Sequence, residues 1–377
     1  MGSSAGQGHR WRVTLVAAAV AVWCAAATLA QVTDAQVAER KPAADTLPSR
    51  LTDQEYWRLI EEFSEPNGYF QSDNLVSNER PFQQVVPALR LLKKGGVYLG
   101  VAPDQNFTYI VALEPKIAFI TDIRRGNLLE HMMYKAVIEL SADRAEFLSR
   151  LFSKKRPEGL GPQSTAVQLF EAFARASTSE ELYIQNLQAI SDHLTKKHGF
   201  GLSADDLSLL GKIYFNFYWF GPGLTYDSSS GGRGASNRPS YEELQMATDL
   251  DGRNRAYLGS EENFKILKTF EEKNLLVPVV GDFAGSKALR SVGKYLADHG
   301  ATVSAWYVSN VEQYLFQNNV WQAYYANVAT MPLDDETVFI RSASQNTVLD
   351  PIKALLKDVG QGRIRTYRDI TVRGSIR

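Results

Sequence analysis

The apolar positions of the chain fall twice into the order strand, turn, helix, strand. A short apolar run at Val97 to Val101 follows the break at Gly95-Gly96, and Ala102-Pro103-Asp104 opens a predicted helix. A second apolar run from Ile117 to Thr121 ends at Asp122. The same order returns late in the chain. Leu276 to Val280 runs into Gly281-Asp282, Ser286 caps a predicted helix that Gly300 stops, and Thr302 to Val308 is the next strand. Pro278 counts against a fully paired central position for the first of these strands. Thr337 to Ile340 predicts a further strand and Arg363 to Val372 an edge strand. Strands alternating with helices in this way predict an α/β fold, Rossmann-like, with a mostly parallel sheet and helices on both faces.

Helical spacing fills the intervals. Thr52 caps a segment carrying Tyr56, Leu59, Ile60 and Phe63 on one side, and Phe82, Val85, Val86, Leu89 and Leu92 predict a helix over Arg80 to Leu92. A long helix follows Asp122, and Ser141 or Asp143 restarts it through Phe152. Residues from about 157 to 270 read as a helical insertion, in which the aromatic run Ile213 to Phe220 is a buried helix or strand. Asp227 to Pro239 reads as a flexible surface loop.

In open parallel sheets small ligands bind beyond the carboxyl ends of the strands, which directs attention to Gly100, Asp104, Asp122 and Asp282. The interval from the Gly100 turn to Asp122 suits a ribose-binding acid, which stands roughly 20 residues after the glycine turn. Ala102 and Asn106 complete the candidate cofactor-binding set. On the same edge, if the strands are parallel, the second unit presents Tyr307, Ser309, Asn310 and Glu312. The polar loop Glu65 to Glu79 is predicted either to wall the strand ends with Tyr69, Asp73, Asn74 and Glu79 or to bond to itself and cap the next helix. These eight residues are the candidate substrate-binding set. Helix capping uses the same residue types, so Asp282 and Ser309 also read as caps.

Gly100-Val101-Ala102-Pro103-Asp104 together with Asp122 resembles the first two motifs of class I S-adenosylmethionine-dependent methyltransferases. The pattern departs from that family at Ala102 and Asp104, where glycine is usual. The stretch from about Glu65 onward resembles an uncharacterised bacterial family of the same fold. The resemblance implies a methyltransferase-like protein with S-adenosylmethionine as cofactor, the ribose held by Asp122, and methyl transfer to an unknown acceptor. Asp104 at the helix start disfavours a diphosphate and favours an ammonium-bearing ligand. The alternative is an exported, non-catalytic binding protein or pseudoenzyme on the same fold.

Charge and composition narrow the remaining classes. With 41 basic and 42 acidic side chains the net charge is -1, which leaves no electrostatic footprint for nucleic acid. No HExxH pattern occurs and five scattered histidines offer no metal spacing, so no metal is expected. The single cysteine, Cys24, lies in an N-terminal apolar segment. There His9, Arg10 and Arg12 precede an apolar run from Val13 to Ala30 that ends in small residues, so residues 1–30 read as a signal peptide or membrane anchor. Both readings place the folded part outside the cytoplasm, periplasmic or extracellular, touching membrane only through an uncleaved segment. Residues 31–50 read as a disordered tether and residues 51–377 as the Rossmann-like domain. A small-molecule ligand is the expected partner.

Overall fold

The β-branched and aromatic runs form the strands Val97–Gly100 (β1), Ile117–Asp122 (β2), Leu276–Val280 (β3), Val303–Ser309 (β4), Leu333–Ala343 (β5) and Asn346–Pro351 (β6). In the computed structural model they make one six-stranded sheet in the order β3-β2-β1-β4-β5-β6. Residues 45–228, 237–343 and 346–373 are described, all inside one unit spanning residues 44–377. Strands β1 to β5 are parallel to their neighbours, and β6 returns antiparallel along β5. The sheet is therefore mostly parallel and Rossmann-like. Chain order reverses between β1 and β4, which makes the gap beyond their carboxyl ends the topological switch point.

β1, β2, β3 and β4 are each buried along their length or nearly so, as a sheet covered on both faces requires. β3 is the edge strand, and this is where Pro278, which has no N–H to give a second neighbour, is tolerated. Among the described residues only helices and isolated bridges separate β2 from β3. The aromatic run at Ile213 lies in the helix Ala204–Phe220, which packs against the helix Arg125–Leu140 through Phe217 and Tyr134. Thr52 caps the helix Asp53–Phe63 in a capping box with Glu55.

Several local expectations differ from the structure. Arg80 to Leu92 is a 3-10 turn, Phe82–Val85, followed by one helical turn, Val86–Leu89. Pro87 has no N–H to reach the Gln83 carbonyl, so a continuous helix cannot form. Arg363 to Val372 leads into the helix Tyr367–Arg373 rather than forming an edge strand, because Asp369 accepts from the Arg365 and Thr366 amides at 2.9 and 2.8 Å and so caps a helix start. The helix Ala288–Asp298 is capped by Glu65 instead of Ser286: the Glu65 carboxylate takes the Lys287 and Ala288 amides, each at 2.9 Å. Residues 45–50, read as the end of a tether, are held by the Asp45–Lys116 ion pair and by Thr46 N donating to His299 O at 2.9 Å. The predicted signal peptide or anchor, most of the tether, and residues 229–236 of the predicted surface loop lie outside the described residues. No described helix is long and apolar enough to cross a membrane.

Candidate functional site

Strand β1 ends in a turn that one side chain organises. Asn106 Nδ2 donates to the carbonyls of Val101, Ala102 and Pro103 at 2.8, 3.1 and 2.7 Å, while its Oδ1 accepts from the Tyr98 hydroxyl at 2.8 Å. Gly100 lies so close beneath it that a Cβ there would stand 2.0 Å from Asn106 Oδ1. Gly100 and Asn106, both buried, thus shape the turn, and neither lines the cleft above it. The turn carries Ala102 into the left-handed region, φ 64°, where its carbonyl lies 2.9 Å from His131 Nε2. Burial pushes the His131 imidazole down to about 4, so it is a neutral donor to that carbonyl.

Asp104 faces away from the cleft. Its Oδ2 accepts from Gln245 Nε2 at 2.9 Å and lies 3.5 Å from the Tyr257 hydroxyl, while Oδ1 has no partner among the described residues. Burial pushes this carboxyl up to about 7 against those hydrogen bonds. The expectation that Asp104 meets a ligand's ammonium therefore fails on geometry, because the residue is 2 % exposed beneath the turn.

At the end of β2, Asp122 is forked by Arg124. The guanidinium Nε and Nη2 donate to the two carboxylate oxygens at 3.0 and 2.9 Å, and the Arg124 amide adds a bond of 2.9 Å to Oδ1. The same guanidinium reaches the carbonyls of Ser72 and Asp73 and lies over the Phe70 ring. It thereby fastens the Glu65 to Glu79 loop across the strand ends, helped by Gly68 N bonding Ile123 O and Glu65 N bonding Val280 O, each at 2.8 Å. Phe70 closes the loop onto the far side, edge-on to Tyr314 at 5.1 Å. The loop walls the cleft and also bonds to itself, the Ser72 and Ser77 hydroxyls taking the Asn74 and Glu79 amides at 3.1 Å each, but none of its side chains caps the helical turns that follow.

Two adjoining cavities open beneath that wall. One, about 210 Å³, lies between the ends of β1, β2, β3 and β4 and is mainly apolar, with Phe70, Phe283, Tyr314 and Leu315 around Asp122, Arg124 and Asp282. The exposed Tyr69 stands at its rim. The other, about 430 Å³, is polar and includes Gln71, Ser77, Asn78, Glu79 and Tyr307. Asn74, Ala102, Ser309 and Asn310 line both, as do Phe70 and Tyr314.

Glu79 is the buried acid of the polar cavity. Its carboxylate accepts from Tyr307 at 3.0 Å, Ser309 at 2.6 Å and Gln105 at 3.1 Å. Burial nevertheless pushes its carboxyl upward. Ser309, at the end of β4, has a left-handed backbone, φ 49°, which aims its hydroxyl at Glu79.

Of the remaining candidates, Asp282 is exposed and lines the apolar cavity, its Oδ1 taken by the Ala284 amide at 2.9 Å. Asp73 contributes only its carbonyl, to Arg124, and lines neither cavity. Glu312 is a correction to the sequence reading. It is 2 % exposed, paired with Arg341 and accepting from Tyr325 at 2.6 Å, and so belongs to a buried ionic cluster beside the sheet. Its place after β4 matches the other candidates, but its helix turns the side chain inward.

Residues 74–198 and 236–359, more than half of the chain, match the family model of a domain of unknown function, DUF7790. The chain belongs to the DUF7790 family. No curated protein matches it. The DUF7790 segments include the turn at Gly100, both Asp122 and Arg124, Glu79, and the β4 end at Ser309, whereas Tyr69 and Phe70 precede the first segment. The family assignment thus covers the floor of both cavities and leaves part of their wall outside it.

Sequence reasoning missed Arg124, Phe70, Phe283 and Tyr314 as site residues. For Phe70 and Tyr314 the available signal was an aromatic residue in a polar loop or just past a strand. For Arg124 the signal was a basic residue two positions after a strand-end acid.

Proposed function

We propose that the DUF7790 cleft holds a nucleoside-type small molecule in its apolar cavity and a second, polar molecule in the adjoining one, and that the protein is methyltransferase-like. The observation that carries this reading is the shared wall. Asn74, Ala102, Ser309 and Asn310 line both cavities, so two ligands bound there would meet at the switch point. Transfer between two bound molecules needs that alignment more than it needs any particular catalytic base. A binding protein needs only one compartment.

The residues fit the implied S-adenosylmethionine in part. Aromatic and aliphatic side chains suit a flat base, and Asp282 stands at the edge of that cavity. Asp122 already receives three bonds from Arg124, and an ionised carboxylate offers about four acceptor sites, so it retains room for one ribose hydroxyl rather than two. S-adenosylmethionine, when bound, supplies a methyl group from its sulfonium and departs as a neutral thioether. Glu79, with its carboxyl raised by burial, is the group placed to take the proton that an acceptor in the polar cavity gives up.

A specific observation favours the second reading, a non-catalytic binding protein: the Arg124 fork takes three of about four acceptor sites on the acid that a donor's ribose requires. The N-terminal segment, read as directing export, favours it too, since S-adenosylmethionine is made in the cytoplasm. Calorimetric titration of the purified protein with S-adenosylmethionine, S-adenosylhomocysteine and adenosine separates the two. Saturable binding of the first two, lost in Asp122→Ala, is expected. Adenosine binding alone would support the binding protein, and no heat from any of the three at millimolar concentration would overturn the nucleoside reading.

A further inference from the structure

The helix Arg125–Leu140 starts beside the cleft and ends, about 24 Å away at 1.5 Å per residue, at a second group of titratable side chains. There Glu139 Oε2 lies 2.7 Å from His193 Nε2 and 2.7 Å from His198 Nε2, and the two imidazole nitrogens are 3.3 Å apart. We propose that these three atoms bind a divalent first-row transition-metal ion of the Zn²⁺ type. At metal–ligand bonds of about 2.0–2.1 Å, neighbouring ligands in a tetrahedral or octahedral shell stand roughly 3 Å apart, which is the spacing of this triangle.

Three further observations point to an ion. The first is the backbone. Residues five apart on an α-helix diverge by about 140°, and His193 and His198 meet only because His193–Lys197 is a π-helical turn, closed by His198 N bonding His193 O at 3.1 Å. A π turn is rare and occurs frequently at functional sites.

The second is the outer shell. His198 Nδ1 is 2.8 Å from Asp53 Oδ1, and Asp53 is itself held by Asn274 Nδ2 at 2.9 Å. A carboxylate on one ring nitrogen fixes the proton there and turns the lone pair of the other nitrogen inward, the usual support of a ligating histidine. In the tautomer that carries its proton on Nδ1, the lone pair of His198 Nε2 faces the Glu139 carboxylate 2.7 Å away, and a cation between the two acceptors satisfies both.

The third is access and charge. The side chains of Glu139, His193 and His198 are 3, 6 and 9 % exposed, whereas neighbouring Lys197 is 60 % exposed. Lys135 bonds Glu139 through the other oxygen, Oε1, at 2.6 Å and so leaves Oε2 to the ion. Lys197 Nζ stands 3.7 Å from Oε2 and 3.5 Å from His193 Nε2, where an exposed ammonium yields to a divalent ion. Three protein ligands leave further positions to water. The ion would clamp the π turn of the helical segment to the helix that carries the Asp122 turn.

The test uses the full chain, stripped with a chelator and titrated with Co²⁺ and Zn²⁺. Saturable binding of one Co²⁺ per chain, visible as d–d absorption and displaced by Zn²⁺, is expected. Asp53→Asn should weaken Co²⁺ about 10–100-fold, as loss of an outer-shell carboxylate does. His193→Ala/His198→Ala should abolish binding. Absence of saturable Co²⁺ binding in the wild type would mean that protons alone hold the cluster, and would overturn the proposal. So would unchanged affinity in Asp53→Asn together with either unchanged binding or misfolding of the double variant.

Discussion

Arg124 and Asp122 form a buried fork-on-fork pair, with guanidinium and carboxylate side chains only 10 and 7 % exposed. Because Arg124 also holds the carbonyls of Ser72 and Asp73, the pair joins the end of β2 to the loop that covers the cleft. Removing one partner of a buried pair leaves the other charge uncompensated, which typically costs about 3–5 kcal/mol. Arg124→Ala should therefore lose about that much in urea unfolding and render the loop near Ser72 protease-sensitive. Asp122→Asn, which keeps the shape and leaves Arg124 its carbonyl partners, should cost less. Equal, small losses below about 1 kcal/mol in both would show that the pair is not what fastens the loop.

Asp104 sets a pH dependence. Its folded-state proton affinity is raised to about 7 by burial, so the protonated acid favours the fold. Its contribution is complete below the ordinary carboxylate value and is lost as pH rises through 4 to 7. The interval corresponds to about 4 kcal/mol as an upper bound. His131 works in the opposite sense: lowered to about 4, it contributes above its ordinary value and loses that contribution as pH falls. The difference in stability between Asp104→Asn and wild type isolates the first effect. It should move in favour of the variant from pH 4 to pH 8, measured by urea midpoints. A difference independent of pH would show that Asp104 is ionised in the fold.

The contrast between Asp104 and Asp122 also shows where sequence reading stops. The strand ends at Gly100, Asp122 and Val280 are legible because apolar runs bounded by glycine and acid mark where a buried strand must meet solvent. Which way a side chain leaves the turn is not legible. Asp104 and Glu312 both follow strand ends, yet Asp104 turns beneath its own helix and Glu312 turns toward Arg341 on β5. Partnerships across long separations are equally hidden: Glu79 meets Ser309 and Glu65 caps the helix at Ala288, each more than two hundred positions away. His193 and His198 were unreadable for another reason, since their spacing suits neither the α-helical nor the strand period and acquires meaning only in the π turn.

Glu312, Arg341 and Asp350 make a prediction about stability alone. Arg341 is 4 % exposed and pairs with both acids, and Arg373 reaches Asp350 at 3.2 Å. Glu312→Ala leaves Arg341 with half of its compensation, so a loss of about 3–5 kcal/mol is expected in chemical unfolding. Neither cavity contains Glu312, and calorimetric titration with adenosine under native conditions should be unchanged. A large change in adenosine affinity without loss of stability would return Glu312 to the site.

Phe70 and Tyr314 decide what the loop is for. Their rings meet edge to face at 5.1 Å and 83°, and both line the two cavities. An aromatic contact of this kind is worth about 0.5–1.5 kcal/mol, so Phe70→Ala should lower stability only modestly, because Arg124 and the Gly68 and Glu65 amides still hold the loop. Its effect on a ligand should be larger in proportion, since the truncated side chain removes a wall from the apolar cavity and admits water. A roughly tenfold weakening of adenosine or S-adenosylmethionine, about 1.4 kcal/mol, is expected from calorimetry. Tyr314→Ala should weaken the same ligand, and the double variant should lose less than the sum, because the two rings form one wall. If ligand affinity is unmoved while stability falls, the loop serves only to brace the strand ends.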